Sequence, residues 1–157
     1  MPAVESILYD ASRLFLAPVM ALILIALTFA IISLGSFTFE AAARAAGGAG
    51  RPLAHYRART ACSIDDLELL IVRRLEWLRI VARSAPMLGL VATMIPMGPA
   101  LLALGSNDGA GVGKNLVVAF SSVILALVAA SISFFVYTIR RRWLLEELRA
   151  IENQGAA

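Results

Sequence analysis

Three long windows of this chain, residues 14–39, 84–107 and 115–139, contain no Asp, Glu, Lys, Arg or His. Each exceeds the ~20 helical residues that cross a hydrocarbon core of about 30 Å. The absence excludes a proton relay by side-chain titration within the chain itself, because such relays use an intramembrane ionisable group. A proton moved here needs a titrating group from another chain. The single cysteine, Cys62, permits no internal disulfide and fits an idle thiol in a reducing cytoplasm. The single histidine, His55, has no metal-ligand spacing to Cys62 or to an acid. No Ser/His/Asp set can be assembled from these residues either, so neither an enzyme, a cofactor nor a metal site is expected.

What the chain has in quantity is apolar surface. Of its 157 residues, 60% are hydrophobic, and the mean hydropathy is +0.81. This excludes an ordinary soluble domain and predicts an all-α membrane protein with three spans, at about 14–39, 84–105 and 115–139. The first window is too long for a signal-peptide core, and no cleavage site follows a short apolar region, so it reads as a retained span.

The basic residues have a sided distribution. Twelve of the 14 Lys and Arg lie between spans one and two or after span three, against Arg13 and Lys114 alone on the other side. By the positive-inside rule the N-terminus and the 105–114 turn are outside, and the central loop and C-terminal tail are cytoplasmic. That accounts for the basic charge without nucleic acid.

Before span one, Val4, Ile7, Leu8 and Ala11 share a helical face, a pattern that predicts a small interfacial helix. Residues 40–60, with alanines and G-G-A-G-R-P, read as a connection. A helix restarts at Ser63, whose hydroxyl and Asp66 form a capping-box-like pair. Ile64, Leu67, Ile71, Leu75, Leu78 and Ala82 then recur at spacings of three and four. Nothing breaks this cytoplasmic helix, about 63–83, before Pro86, so it is expected to run into span two as one kinked helix of about 42 residues, or ~63 Å. Span three continues likewise into a cytoplasmic part, about 140–153, with Leu144, Leu148 and Ile151 on one face and Gly155 as its stop. The two stripes are expected to pack as an antiparallel pair, and the whole of 1–157 as one membrane domain. The stretch G-A-G-V-G-K-N at 109–115 approximates a phosphate loop but has Asp108 and Asn115 where that motif needs Gly and Ser or Thr. It reads as a flexible turn.

Span two carries Pro86, Pro96 and Pro99. Each lacks an N–H and leaves a carbonyl near four residues back without its partner. In lipid such a group must be satisfied by a neighbour or water, so this span belongs in a bundle or beside a passage. Gly89, Thr93, Pro96, Ala100 and Ala103 share one of its faces. On span three Ala119, Ser122, Ala126, Ala129, Ser133 and Tyr137 do the same. Small residues at such spacing suit close helix packing. They also suit a narrow passage in which Thr93 and Ser122 accept a hydrogen bond from a partner's carboxyl group. The pattern leaves both readings open.

The stretch A-P-M-L-G-L-V-A-T at 85–93 resembles the A-P-x-x-G-L-x-G-T signature of the MotA/TolQ/ExbB proton-channel family, with Ala92 where the family has glycine. In span three, A-F-S-S-V-I-L-A-L-V-A-A-S-I-S-F-F-V-Y is similar to the family's A-L-x-A-T-A-x-G-L-x-x-A-I-P-A-x-x-A-Y. The family's second threonine falls there on Ser122 or Val123, and the small-residue stripe favours Ser122. The resemblance covers roughly residues 63–153.

The resemblance implies a ring, expected to be a homopentamer in the inner membrane, with spans two and three lining a central pore and span one outside. The pore would hold the single-span helices of an ExbD/TolR/MotB-like partner bearing an essential aspartate. Proton passage would drive a motor that transduces energy elsewhere. The pathway would be lined by Gly89, Thr93, Pro96, Ala100, Ser122, Ala126, Ala129, Ser133 and Tyr137. A non-conducting membrane scaffold that assembles a partner is the alternative. An independent transporter is disfavoured, since neither a binding polar group nor an internal repeat is visible.

Overall fold

The computed structural model describes residues 2–46 and 64–155, and the side chains of 14–46 and 66–153. These residues form three helices, α1 (Pro2–Ala45), α2 (Ile64–Gly105) and α3 (Gly109–Gly155), of 44, 42 and 47 residues. All three are long and apolar enough to cross a membrane. At ~1.5 Å per residue each exceeds the hydrocarbon core about twofold, so each must also project beyond it.

α2 meets the expected length and passes through Pro86, Pro96 and Pro99 without interruption. The start signal assigned to Ser63 lies outside the described residues, as do Cys62 and His55. At three places the helices run further than expected. The N-terminal segment is continuous with span one instead of forming a separate interfacial helix. The connection expected from residue 40 is still helical to Ala45. Alanine is the strongest helix former, and A-A-A-R-A propagates a helix already started. The flexible turn expected at 109–115 is the opening of α3.

The link between α2 and α3 is therefore only Ser106, Asn107 and Asp108. Asn107 takes φ 56°, a left-handed conformation that asparagine tolerates better than most residues. Asp108 then caps α3. Its Oδ1 accepts the Gly111 N–H at 2.9 Å, and its carbonyl accepts the Val112 N–H at 3.1 Å. Asp108→Ala should cost about 1 kcal/mol and speed amide hydrogen exchange at 109–112 while leaving the middle of α3 protected.

Packing divides by side-chain size along the bundle. Toward one end Leu67, Ile71, Leu75 and Leu78 of α2 are buried with Leu144, Leu148 and Ile151 of α3, and Phe37 of α1 joins them. This is the apolar stripe read from the three-and-four spacing, and burying one leucine contributes about 1.5–3 kcal/mol. In the charge-free windows contact passes to small residues: Ala26 and Ala30 of α1 meet Ala129 of α3. Val19 and Ile23 of α1 meet Ala92 of α2 and Ala126 of α3. In lipid, close approach of backbones replaces the hydrophobic effect as the source of association, and small side chains allow it.

Candidate functional site

The two small-residue stripes meet one another. A Cβ built on Gly89 would lie 2.9 Å from Ala126 Cβ and 3.5 Å from Val123 Cα. Gly89, Pro96 and Ala100 of α2 are buried, as are Ala119, Ser122, Ala126, Ala129 and Ser133 of α3. Ser122, Ala126, Ala129 and Ser133 have no exposed surface at all. A residue enclosed by its own chain has no face left for a passage between chains. In this bundle close packing accounts for the burial of those four.

Ser122 shows this in detail. Its hydroxyl donates to the Val118 carbonyl at 2.6 Å and lies 3.0 Å from Met20 Sδ of α1. It is turned toward α1, the helix expected on the outside of a ring. The hydroxyl of Ser133 is buried without a hydrogen-bond partner in the structure.

Thr93 is placed differently. It is half-buried, and its Oγ1 donates to the Leu90 carbonyl at 2.7 Å. That back-bond uses the hydroxyl proton and leaves the oxygen lone pairs able to accept. α1 packs on the side of Leu88 and Ala92, whereas Leu90 is turned ~200° from Leu88 around the helix. Thr93 thus sits at the edge of a face made of Leu90, Met94, Met97 and Leu101, all exposed. On α3 Phe120, Ile124, Leu127 and Phe134 are also exposed. These exposed apolar residues, with Thr93 at their edge, are what the chain offers to lipid or to other helices. Tyr137 is half-buried and lines two clefts between α2 and α3.

A polar cluster at the end of span one was not singled out from the sequence. Glu40 faces Arg44 at 3.1 Å through Oε1 and Arg140 Nε at 3.2 Å through Oε2. The Arg140 Nε contact is an ion pair not aligned for a hydrogen bond. Arg140 also donates to Ser36 Oγ at 3.1 Å. The Arg44 guanidinium lies 4.4 Å from the Trp143 ring centroid, and Trp143 stacks on Phe37 at 5.4 Å. The available signal was an acid four residues before an arginine, directly after a charge-free window. The reach to Arg140 has no local signal. Among the described residues no group of three His, Cys, Asp or Glu could hold a metal ion.

Comparisons with known proteins bear on this arrangement. Neither a comparison with curated proteins nor one with solved structures found a match. A family model does match residues 39–153, which include all of α2 and nearly all of α3 and begin near the end of α1. The chain belongs to the MotA/TolQ/ExbB proton channel family.

Proposed function

We propose that this chain is the ring-forming subunit of a proton-driven motor in the inner membrane, working with a single-span partner that carries a mid-membrane aspartate. The carrying observation is the pairing of three apolar spans that lack Asp, Glu, Lys, Arg and His with a hydroxyl, Thr93, at the edge of the surface away from α1. A protonated carboxyl is far cheaper to hold beside an apolar wall than a charged one. Thr93 Oγ1 would accept its hydrogen bond, and Met94, Met97 and Leu101 of α2 with Phe120, Ile124 and Leu127 of α3, all exposed, would form the wall and the contacts between subunits. The buried leucine stripes and the Gly89–Ala126 contact support an antiparallel α2–α3 pair, and the basic residues support the N-terminus outside. A pentamer is the stoichiometry the family suggests.

In this reading the proposed pathway narrows from the two small-residue stripes to Thr93. Ser122, Ser133 and the alanines act from behind, by setting how closely the helices approach. The test is proton flux in liposomes holding the chain with its aspartate-bearing partner. Thr93→Ala should lower flux about tenfold, the equivalent of ~1.4 kcal/mol at the barrier, and Ser122→Ala should change it little. Both variants should still assemble by native mass spectrometry. Unchanged flux in Thr93→Ala sinks the assigned role.

A second reading is a non-conducting scaffold, which the enclosure of the small-residue stripe favours, because close packing alone explains it. A partner that binds the chain while no proton current appears would establish that reading. A neighbouring reading frame encoding one N-terminal span with a mid-span Asp would favour the motor.

A further inference from the structure

Arg79 and Arg83 of α2 and Arg141 of α3 line one cleft of about 310 Å³ between the two helices, together with Ala82, Phe134 and Tyr137. All three arginines are exposed, and no acid lies within ion-pairing distance of them among the described residues, whereas Arg44, Arg140 and Arg142 each have a carboxylate. The acid nearest along the groove is Glu76, which lines the adjoining cleft with Arg79, Tyr137 and Arg141. One carboxylate against three guanidinium groups leaves an excess of positive charge.

The height of the cleft is fixed by the sequence. Arg83 directly precedes the charge-free window that opens at residue 84, and Arg141 stands two residues after the one that closes at 139. The guanidinium groups are therefore at the edge of the hydrocarbon. Phe134 and, about one and two turns into the window on α2, Met87 and Leu90 present apolar surface on the membrane side. Tyr137 has the amphipathic character of interfacial residues. A ligand for this place needs an anionic head that suits the planar fork of arginine and an apolar body continuing into the bilayer.

We infer that this cleft is a binding site for the phosphate head of an anionic phospholipid, held by Arg79, Arg83 and Arg141 with its acyl chains running along Phe134 and Leu90. The site requires only that the chain spans the membrane at these positions. It does not depend on proton conduction.

Native mass spectrometry of the full chain in detergent, with phosphatidylglycerol and phosphatidylcholine of identical acyl chains, tests this directly. The wild type should retain phosphatidylglycerol in preference by about tenfold or more, on the order of fivefold per arginine at a membrane surface. Arg79→Gln/Arg83→Gln/Arg141→Gln should abolish the preference. Arg73→Gln/Arg142→Gln/Arg149→Gln, which removes the same charge elsewhere, should keep it within about twofold, since surface charge outside the cleft contributes only diffuse attraction. The corresponding triple Lys variant of the cleft retains its charge and should hold an intermediate preference, which guards against misfolding of the Gln variant. Equal loss in the two Gln triples, or no preference in the wild type, overturns the site. Displacement of the lipid by an equimolar amount of glycerol phosphate would overturn the lipid as its occupant and assign the cleft to a soluble phosphate compound.

Discussion

Replacing Gly89 by leucine will force α2 away from α3, and the chain will lose its stable helical core in detergent. Even a methyl group has no room. The added Cβ of Gly89→Ala would stand 2.9 Å from Ala126 Cβ and 3.4 Å from Val123 Cγ2. Ala126 has no rotamer to change and no exposed surface, so relief has to come from the backbones of the two helices. Overpacking of this kind costs about 1–3 kcal/mol for small additions, and leucine adds three carbons more. Thermal unfolding followed by circular dichroism should show Gly89→Ala melting below the wild type and Gly89→Leu failing to give one cooperative transition. Combining Gly89→Ala with Ala126→Gly returns the missing volume and should recover most of the loss. Wild-type stability of Gly89→Ala, or simple addition of the two single losses, would show that the helices are not in contact at this point.

Gly89 also marks how far the sequence could be read. Its place in a stripe with Pro96 and Ala100 was visible from spacing, because helical periodicity fixes which residues share a face. Spacing does not say what the face looks at. A stripe of small residues appears both where two helices of one chain touch and where helices surround a space, and only the third helix decides between them. Here α1 decides, by placing Met20 against Ser122 and Ala26 and Ala30 against Ala129. Thr93 belongs by spacing to the same face as Gly89, yet it escapes enclosure because it lies toward the edge away from α1. The leucine stripe of α2 was legible for the opposite reason. Leu67, Ile71, Leu75 and Leu78 lie among arginines and acids, so their contrast with neighbours left one burial pattern. In the spans no residue is charged and most are apolar, and that contrast is gone. The helix ends were misplaced where local chemistry was subtle, as at Asp108, whose single side-chain bond turns a glycine-rich stretch into the first turn of α3.

Glu40→Gln should be among the most damaging conservative changes in the chain, because among the described residues Glu40 is the one carboxylate paired with both Arg44 and Arg140. The ion pairs are half-shielded, with side-chain exposures of 24% for the arginines and 34% for the acid. They lie against the Phe37–Trp143 stack, where water is partly excluded. Removing one partner of a fully buried pair costs about 3–5 kcal/mol, since the remaining charge keeps its desolvation penalty. Exposed pairs are worth about 0–1 kcal/mol. With two arginines left against one neutral amide, the expected loss is about 1–3 kcal/mol, between these limits. The effect should be specific in two ways. Arg142→Gln, which breaks the solvent-exposed pair with Glu146 at 3.6 Å, should change stability by no more than about 0.5 kcal/mol. In Glu40→Gln the environment of Trp143 should change as Arg44 is released from its ring, visible as a shift in tryptophan fluorescence that Trp77, exposed on α2, does not share; Trp77→Phe in both backgrounds isolates the signal. A Glu40→Gln chain as stable as the wild type would mean that α1 is held to α3 by its other contacts, those of Phe37, Val19, Ile23 and the alanines among them, without help from the ion pairs. The expected result instead makes Glu40 the electrostatic lock between the end of span one and the start of the basic tail.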